Sequence, residues 1–223
     1  MKLTQTLTYK LSRKLICLYT QFLLNMDVFW QTHLPVGPKL IVSNHPSTTD
    51  PFYLLTLFPQ PLSILIIEHA FKAPIFGGIL RHSGHIPVLL ANRHAAFDIA
   101  KQQLRDGQTV AIFPEGGLSP RQGGSLPART GAARLALLTG VPVIPIGIYF
   151  HRERARELIS KFEGKSETGY WYLHGPYGVT IGKPMKFDGD AEDRVHVRTI
   201  SDLIMDTINT LAMASQRRLE NFA

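Results

Sequence analysis

His45 and Asp50 are separated by four residues in Ser43-Asn44-His45-Pro46-Ser47-Thr48-Thr49-Asp50-Pro51. The apolar run Leu40-Ile41-Val42 leads into this stretch, and a helical-looking segment, Phe52 to Phe58, follows it. The pair therefore falls where a strand gives way to a helix. Imidazole suits a general base because its pKa lies near neutral pH. A carboxylate bonded to its other nitrogen fixes the tautomer and stabilises the imidazolium, the logic of a hydrolytic triad with a substrate hydroxyl in place of the protein serine. Spacing alone leaves a plainer reading open, in which Asp50 before Pro51 is a helix N-cap and His45 an ordinary loop histidine.

A second polar cluster is Phe113-Pro114-Glu115-Gly116-Gly117-Leu118-Ser119. Its glycines allow a backbone to approach a ligand closely. Backbone N–H groups near Gly116 or Gly117 are candidates to face a phosphate or a developing oxyanion. Glu115 is a candidate to hold a substrate hydroxyl, or to bond structurally across the site. A third stretch, Val141-Pro142-Val143-Ile144-Pro145, carries prolines that shape a strand.

These clusters need elements to position them. Leu3, Leu7, Leu11, Leu15, Leu18, Phe22, Met26 and Phe29 recur at helical spacing, so residues 3–30 read as one or two amphipathic helices, with Lys2, Lys10, Arg13 and Lys14 on them. Beyond Pro35-Val36-Gly37-Pro38 the patterns alternate. Strands are expected at 39–43, 62–67, 86–90, 109–113 and 141–150. Helices are expected at 50–58, 74–81, 92–105, 127–138, 152–162 and 195–213, and a hairpin joining 170–172 to 177–181. The alternation implies a single-domain α/β fold with a largely parallel central sheet flanked by helices. An N-terminal helical element, 1–34, would precede a catalytic domain, 35–223. In open sheets of this kind sites form beyond the carboxyl ends of strands, where the first two clusters fall.

The chain has 223 residues, a formal charge of +7 and one cysteine, Cys17. The charge suits an anionic partner, and a lone cysteine rules out an internal disulfide. Cys17, in an apolar run, reads as a small hydrophobe. Residues 15–24 are too short to span a bilayer and lack a small-residue cleavage site, but a basic amphipathic helix ending in Phe29-Trp30 fits a membrane interface as well as it fits the domain's own core. No phosphate-binding Gly-rich loop with Lys-Ser/Thr and no nucleic-acid motif is present. No Gly-x-Ser-x-Gly elbow accompanies Ser43, Ser47 or Ser119, which counts against a serine hydrolase.

Taken together and in order, the clusters resemble those of the glycerolipid acyltransferase family, which includes the lysophosphatidic acid acyltransferases. Asn44, His45 and Asp50 match its first motif. Phe113, Pro114, Glu115, Gly116 and Ser119 match its third, and Val141 to Pro145 its fourth. The resemblance covers roughly residues 30–185. It implies O-acyl transfer from acyl-CoA or an acyl-carrier protein to a membrane lipid acceptor, with His45 as base and Asp50 aligning it. No metal and no bound cofactor are expected, and the enzyme would lie at the cytoplasmic face of a membrane, peripheral or monotopic. Asn44, Glu115, Gly116 and Gly117 would serve substrate binding.

Two departures bear on the acceptor. Leu90 stands where the family's second motif has an arginine, and Gly117-Leu118 replace Thr-Arg in the third. Leucine makes no bidentate contact to phosphate. Arg93, Arg121 and Arg129 are candidate substitutes, although Arg93 and Arg129 also fit solvated surface positions. The alternatives are an acceptor without a phosphomonoester, such as a glycolipid or lipid alcohol, and a catalytically silent lipid-binding domain.

Overall fold

A computed structural model describes residues 3–72, 76–162 and 165–221. Helix α1 (Leu3–Leu23) runs into strand β1 (Leu24–Trp30). The core then alternates: β2 (Leu40–Ser43), α2 (Asp50–Leu57), β3 (Leu62–Ile67), α3 (Phe76–His82), β4 (Ile86–Val88), α4 (Arg93–Arg105), β5 (Thr109–Ile112), α5 (Gly131–Thr139) and β6 (Val143–Tyr149). Strands β7 (Arg156–Phe162), β8 (Lys165–Trp171) and β9 (Gly175–Ile181) precede the closing helix α6 (Arg194–Asn221). Seven strands form one sheet in the order β1-β9-β6-β2-β5-β3-β4. The five from β6 to β4 are mutually parallel, and β9 runs antiparallel to β6. The α/β class and the largely parallel sheet expected from the sequence are what the chain forms.

Strand periodicity sorts the side chains into two layers. Ile41, Ala111, Phe113, Ile144, Ile146 and Ile148 pack towards α1 and α2. Leu40, Val42, Val110 and Val143 pack towards α4, α5 and α6. Fully burying each such aliphatic side chain contributes about 1.5–3 kcal/mol. Helix α6 sits hard on β6: a Cβ at Gly147 would lie 2.0 Å from the Ala212 nitrogen. Only glycine admits that approach.

Several local expectations are corrected. Residues 24–30 are a strand, not helix. Leu24, Met26 and Val28 point inward with period two, and β9 offers a parallel partner from Leu24↔Gly175 to Trp30↔Ile181. Residues 152–162 are a single 3-10 turn, Arg152–Arg154, followed by β7, because pairing with β8 overrides the helical preference of the charged run. The hairpin is thus β7–β8, not 170–172 with 177–181. Strand β9 instead enters the main sheet between β1 and β6. Helix α5 starts at Gly131, past Pro127, and α6 extends to Asn221. Pro74, where a helix was expected to begin, and Lys2 lie outside the described residues. The Asn92 cap of α4 holds, with its side chain accepting from the Ala95 N–H. Asp50 is not a cap: α2 begins on it, behind Thr49.

Helix α1 docks by the face its leucines do not occupy. Tyr9 and Thr20 are buried, and Ile16 and Tyr19 pack on the core. Arg13 donates to the carbonyls of Leu55, Thr56 and Phe58 at the end of α2, where a cation also suits the helix dipole. Leu7, Leu11, Leu15, Leu18 and Phe22 stay outside, Phe22 at 78% exposure. Cys17 is half-buried.

His85, in the turn before β4, is buried. Its Nδ1 accepts the Ile64 N–H at 3.3 Å, and burial pushes its pKa down from 6.5 to about 4. Between those values the unfolded chain binds the proton and the native chain does not, so stability rises with pH through this window and is lost as pH falls. This group alone should remove about 2 kcal/mol between pH 7.5 and pH 5. His85→Gln, a neutral acceptor, should lose that much less over the same interval in urea unfolding. An equal acid-side loss in both proteins would exclude the linkage.

Candidate active site

The chain leaves β2 on one side of the sheet, through α2, and leaves the adjacent β5 on the other, through α5. Neighbouring strands whose connections part to opposite faces open a crevice at their carboxyl ends. His45 enters it from β2 and Phe113 to Gly117 from β5.

His45 Nδ1 lies 3.1 Å from Asp50 Oδ2, and its ring stacks on Phe113 with centroids 4.1 Å apart. Asp50 is fully buried. Its Oδ2 also accepts the Ser47 N–H at 2.7 Å, and its Oδ1 accepts the Tyr177 hydroxyl at 2.8 Å. Burial, with the Asp50 charge second, pushes the Tyr177 phenol well above its ordinary value of 10, so it donates as a neutral hydroxyl. With Nδ1 facing the carboxylate, Nε2 is the acceptor nitrogen, and it carries no hydrogen bond among the described residues. The ring lines a cavity of about 1480 Å³. The geometry is that of an oriented imidazole facing an open space.

Glu115 fixes the second loop to the first. Its Oε1 accepts the His45 N–H at 2.9 Å and the Ser119 hydroxyl at 2.6 Å, and its Oε2 accepts the Leu126 N–H at 2.7 Å. The Ser119 N–H returns to the His45 carbonyl at 2.8 Å. Both carboxylate oxygens are thus engaged by the protein. Asn44 is similarly committed: its amide donates to the Ile148 carbonyl and accepts the Ile148 N–H, both at 2.8 Å. Arg152 compensates the two buried acids. Burial lowers its pKa, while Glu115 and then Asp50 push back, and its Nη2 donates to the Gly124 carbonyl at 3.1 Å.

The Gly116 N–H turns back to the Phe113 carbonyl. The Gly117 N–H has no partner among the described residues and stays available to a ligand. Gly116 must be glycine. Its φ is +66°, and a Cβ there would lie 2.2 Å from the Nε of Arg129, which crosses it and reaches the Glu115 carbonyl at 3.4 Å.

The cavity wall opposite the sheet is the β7–β8 hairpin. Residues between the histidine and the aspartate tie it down: the Thr48 N–H and Ser47 hydroxyl donate to the Tyr170 carbonyl at 2.7 and 2.8 Å, and the Thr49 hydroxyl to that of Tyr172. Arg93 and Arg129 line the cavity, as do Leu90 and Leu118. Arg121 does not. It pairs with Glu157 at 2.5 Å and lies over the Tyr170 ring. Ser43, Ser47 and Ser119 are buried, and none lines the cavity. Sequence reasoning missed Tyr177, 127 residues from Asp50 in the chain. It also missed Arg134 and Arg198, which sit on the wall made by α5 and α6. No local pattern marks any of the three.

A model of the acyltransferase family matches residues 26–149. The 1-acyl-sn-glycerol-3-phosphate acyltransferase of Saccharomyces cerevisiae is 24% identical over 195 residues, covering 84% of this chain and 61% of that protein. That of Pseudomonas aeruginosa is 35% identical over 118 residues, covering 51% of this chain and 45% of that protein. In both cases the chain spans less than two thirds of the relative's length. The crystal structure of the 1-acyl-sn-glycerophosphate acyltransferase PlsC from Thermotoga maritima superposes with a TM-score of 0.62 at 19% identity, covering 92% of this chain and 78% of that one. At that identity the likeness is one of fold.

Proposed function

The chain belongs to the acyltransferase family, whose model matches more than half of it, and from that premise we propose that it moves a fatty acyl group from acyl-CoA or an acyl-carrier protein to a hydroxyl of a lysophospholipid. The observation that carries the reading is the His45–Asp50–Tyr177 chain opening onto a large, mainly apolar cavity. His45 Nε2 takes the proton of the acceptor hydroxyl as the oxygen attacks the thioester carbonyl. The carbon–oxygen bond forms, and negative charge gathers on the carbonyl oxygen, for which the Gly117 N–H is a donor. Collapse breaks the carbon–sulfur bond, and the departing thiolate takes the proton back from the imidazolium. Asp50 holds the Nδ1 proton throughout and stabilises the imidazolium. Leu65, Ile66, Val88 and Phe97 line the same cavity, a surface suited to an acyl chain.

A second reading, an acceptor without a phosphomonoester, is favoured by Leu90 and Leu118 on the cavity wall. We further propose that the protein works at a lipid surface. No helix among the described residues is long and apolar enough to cross a membrane. The outward stripe of Leu7, Leu11, Leu15, Leu18 and Phe22 is instead the kind of face that lies in an interface. Purified protein assayed with acyl-CoA and acyl-carrier donors should acylate lysophosphatidate or another lysophospholipid presented in vesicles. Leu11→Asp/Leu15→Asp should lose vesicle-dependent turnover while keeping activity on a soluble short-chain acceptor. Absence of transfer to every phospholipid and neutral acceptor would refute the enzymatic reading, and equal vesicle activity in the double variant would refute the surface one.

A further inference from the structure

The charged residues of the cavity are unevenly chosen. Lys72, Arg93, Arg129, Arg134 and Arg198 line it, and no aspartate or glutamate does so among the described residues. Four of the five cations lie on one wall, made by α4, the loop before α5, α5 itself and α6. A low-dielectric cleft lined by one sign of charge concentrates ligands of the other sign.

Three of the four arginines are held by neighbouring groups. Arg129 lies across Gly116 and is steadied by the Glu115 carbonyl, which sets it beside the loop that carries His45. Arg198 donates to the Ala128 carbonyl at 2.7 Å and is gripped by Asp202 from outside the cavity. Arg134 packs over the Phe97 ring at 5.7 Å. It pairs through one terminal nitrogen with Glu192, itself 76% exposed, and its Nε is buried with no partner. Arg93 has no hydrogen bond or ion pair among the described residues, and it opens α4 at the end of a helix where a cation is unfavourable unless an anion is close. Thr130, at the start of α5, places no side-chain cap on that helix, so the first N–H groups of α5 add to the same positive field.

We infer that this wall is a phosphate-binding site, built from Arg93, Arg129, Arg134 and Arg198 and displaced from positions 90 and 118, where this chain carries leucine. The inference rests on the acyl-transfer reading for the ligand's identity, and it names phosphate borne by a substrate as the ligand chemistry. Two substrates carry one. In a lysophosphatidate the phosphate and the free hydroxyl sit on adjacent carbons, so its phosphate would meet Arg129, next to the histidine loop. In acyl-CoA the pantetheine arm separates thioester from phosphates, so those would meet the outer arginines. Guanidinium groups bind phosphate through paired charge-assisted hydrogen bonds, which also sets orientation.

The test is equilibrium binding, by calorimetry at about physiological salt, of three probes: soluble short-chain lysophosphatidate, CoA and the matching monoacylglycerol. Arg129→Ala and Arg93→Ala, both at exposed positions, are compared with the unaltered protein. Loss of one phosphate contact should weaken a phosphate-bearing probe about ten- to hundred-fold, leave the monoacylglycerol unchanged, and flatten the salt dependence. Weakening of lysophosphatidate alone assigns the site to the acceptor, and weakening of CoA alone assigns it to the donor. Unchanged affinity for both phosphate-bearing probes in both variants, or no binding of either by the unaltered protein, overturns the site. Phosphate-dependent binding without any acyl transfer would keep the site and reject the enzymatic reading.

Discussion

His45→Ala is expected to cut the single-turnover rate of acyl transfer by about a thousand-fold or more while the protein still folds. A positioned general base contributes about 10²- to 10⁴-fold, and no other imidazole replaces it. His85 is buried elsewhere and accepts from Ile64, and His69 and His94 lie on other elements, the 3-10 turn Glu68–Lys72 and α4. The fold should survive because the ring stacks at the cavity edge, and because Asp50 keeps the Ser47 N–H and the Tyr177 hydroxyl after the imidazole is gone. A buried carboxylate left with two donors is not an orphan charge. Asp50→Asn should lower the rate by about 10²- to 10⁴-fold for a different reason: the amide no longer holds the Nδ1 proton against the imidazolium's charge. The comparison needs single-turnover rates beside thermal unfolding. Near-unaltered turnover in a folded His45→Ala protein would end the base mechanism.

Asn44→Ala should produce the largest loss of stability, about 2–6 kcal/mol. Strand β2 pairs with β6 as far as Ser43↔Ile146, and there it ends. The Asn44 amide then serves both the carbonyl and the N–H of Ile148 at 2.8 Å, so one side chain continues the ladder by a step the backbone no longer takes. Alanine leaves two buried backbone groups unpaired, each costing about 1–3 kcal/mol. Asn44→Asp is no rescue, because a carboxylate oxygen would face the Ile148 carbonyl. The measurement is the urea midpoint at neutral pH. A loss below about 1 kcal/mol would mean that water or a backbone shift replaces the amide. On this account Asn44 acts beneath the site, by setting where His45 leaves the sheet.

What could be read in advance follows from how local its cause is. The strand-to-loop transitions at Ser43 and Phe113, the pairing of His45 with Asp50, and the Asn92 cap depend on neighbours within a few residues, and they stand as expected. The fates of Glu115 and Asn44 depend on groups 70 and 104 residues away, so their residue types announced polarity without a partner. The same holds for residues 24–30, where helical spacing and strand alternation coexist and only the open edge of β9 decides. The leucine repeat of α1 foretold a helix correctly. It did not say which face would dock, because periodicity reports the helix and not what it meets.

The separateness of the β7–β8 sheet has a further consequence. Among the described residues no strand of the central sheet pairs with it. Its held end is bonded to Ser47, Thr48 and Thr49. Leu158 and Ile159, at the far strand, line the cavity. Apart from the Arg121–Glu157 ion pair on β7, the hairpin is therefore an interchangeable part fastened at its held end. Its outer residues can be lengthened or exchanged to recut the cavity for a different chain, without disturbing the ladder that supports the histidine. Changes at Tyr170 or Tyr172 would instead be transmitted straight to the base.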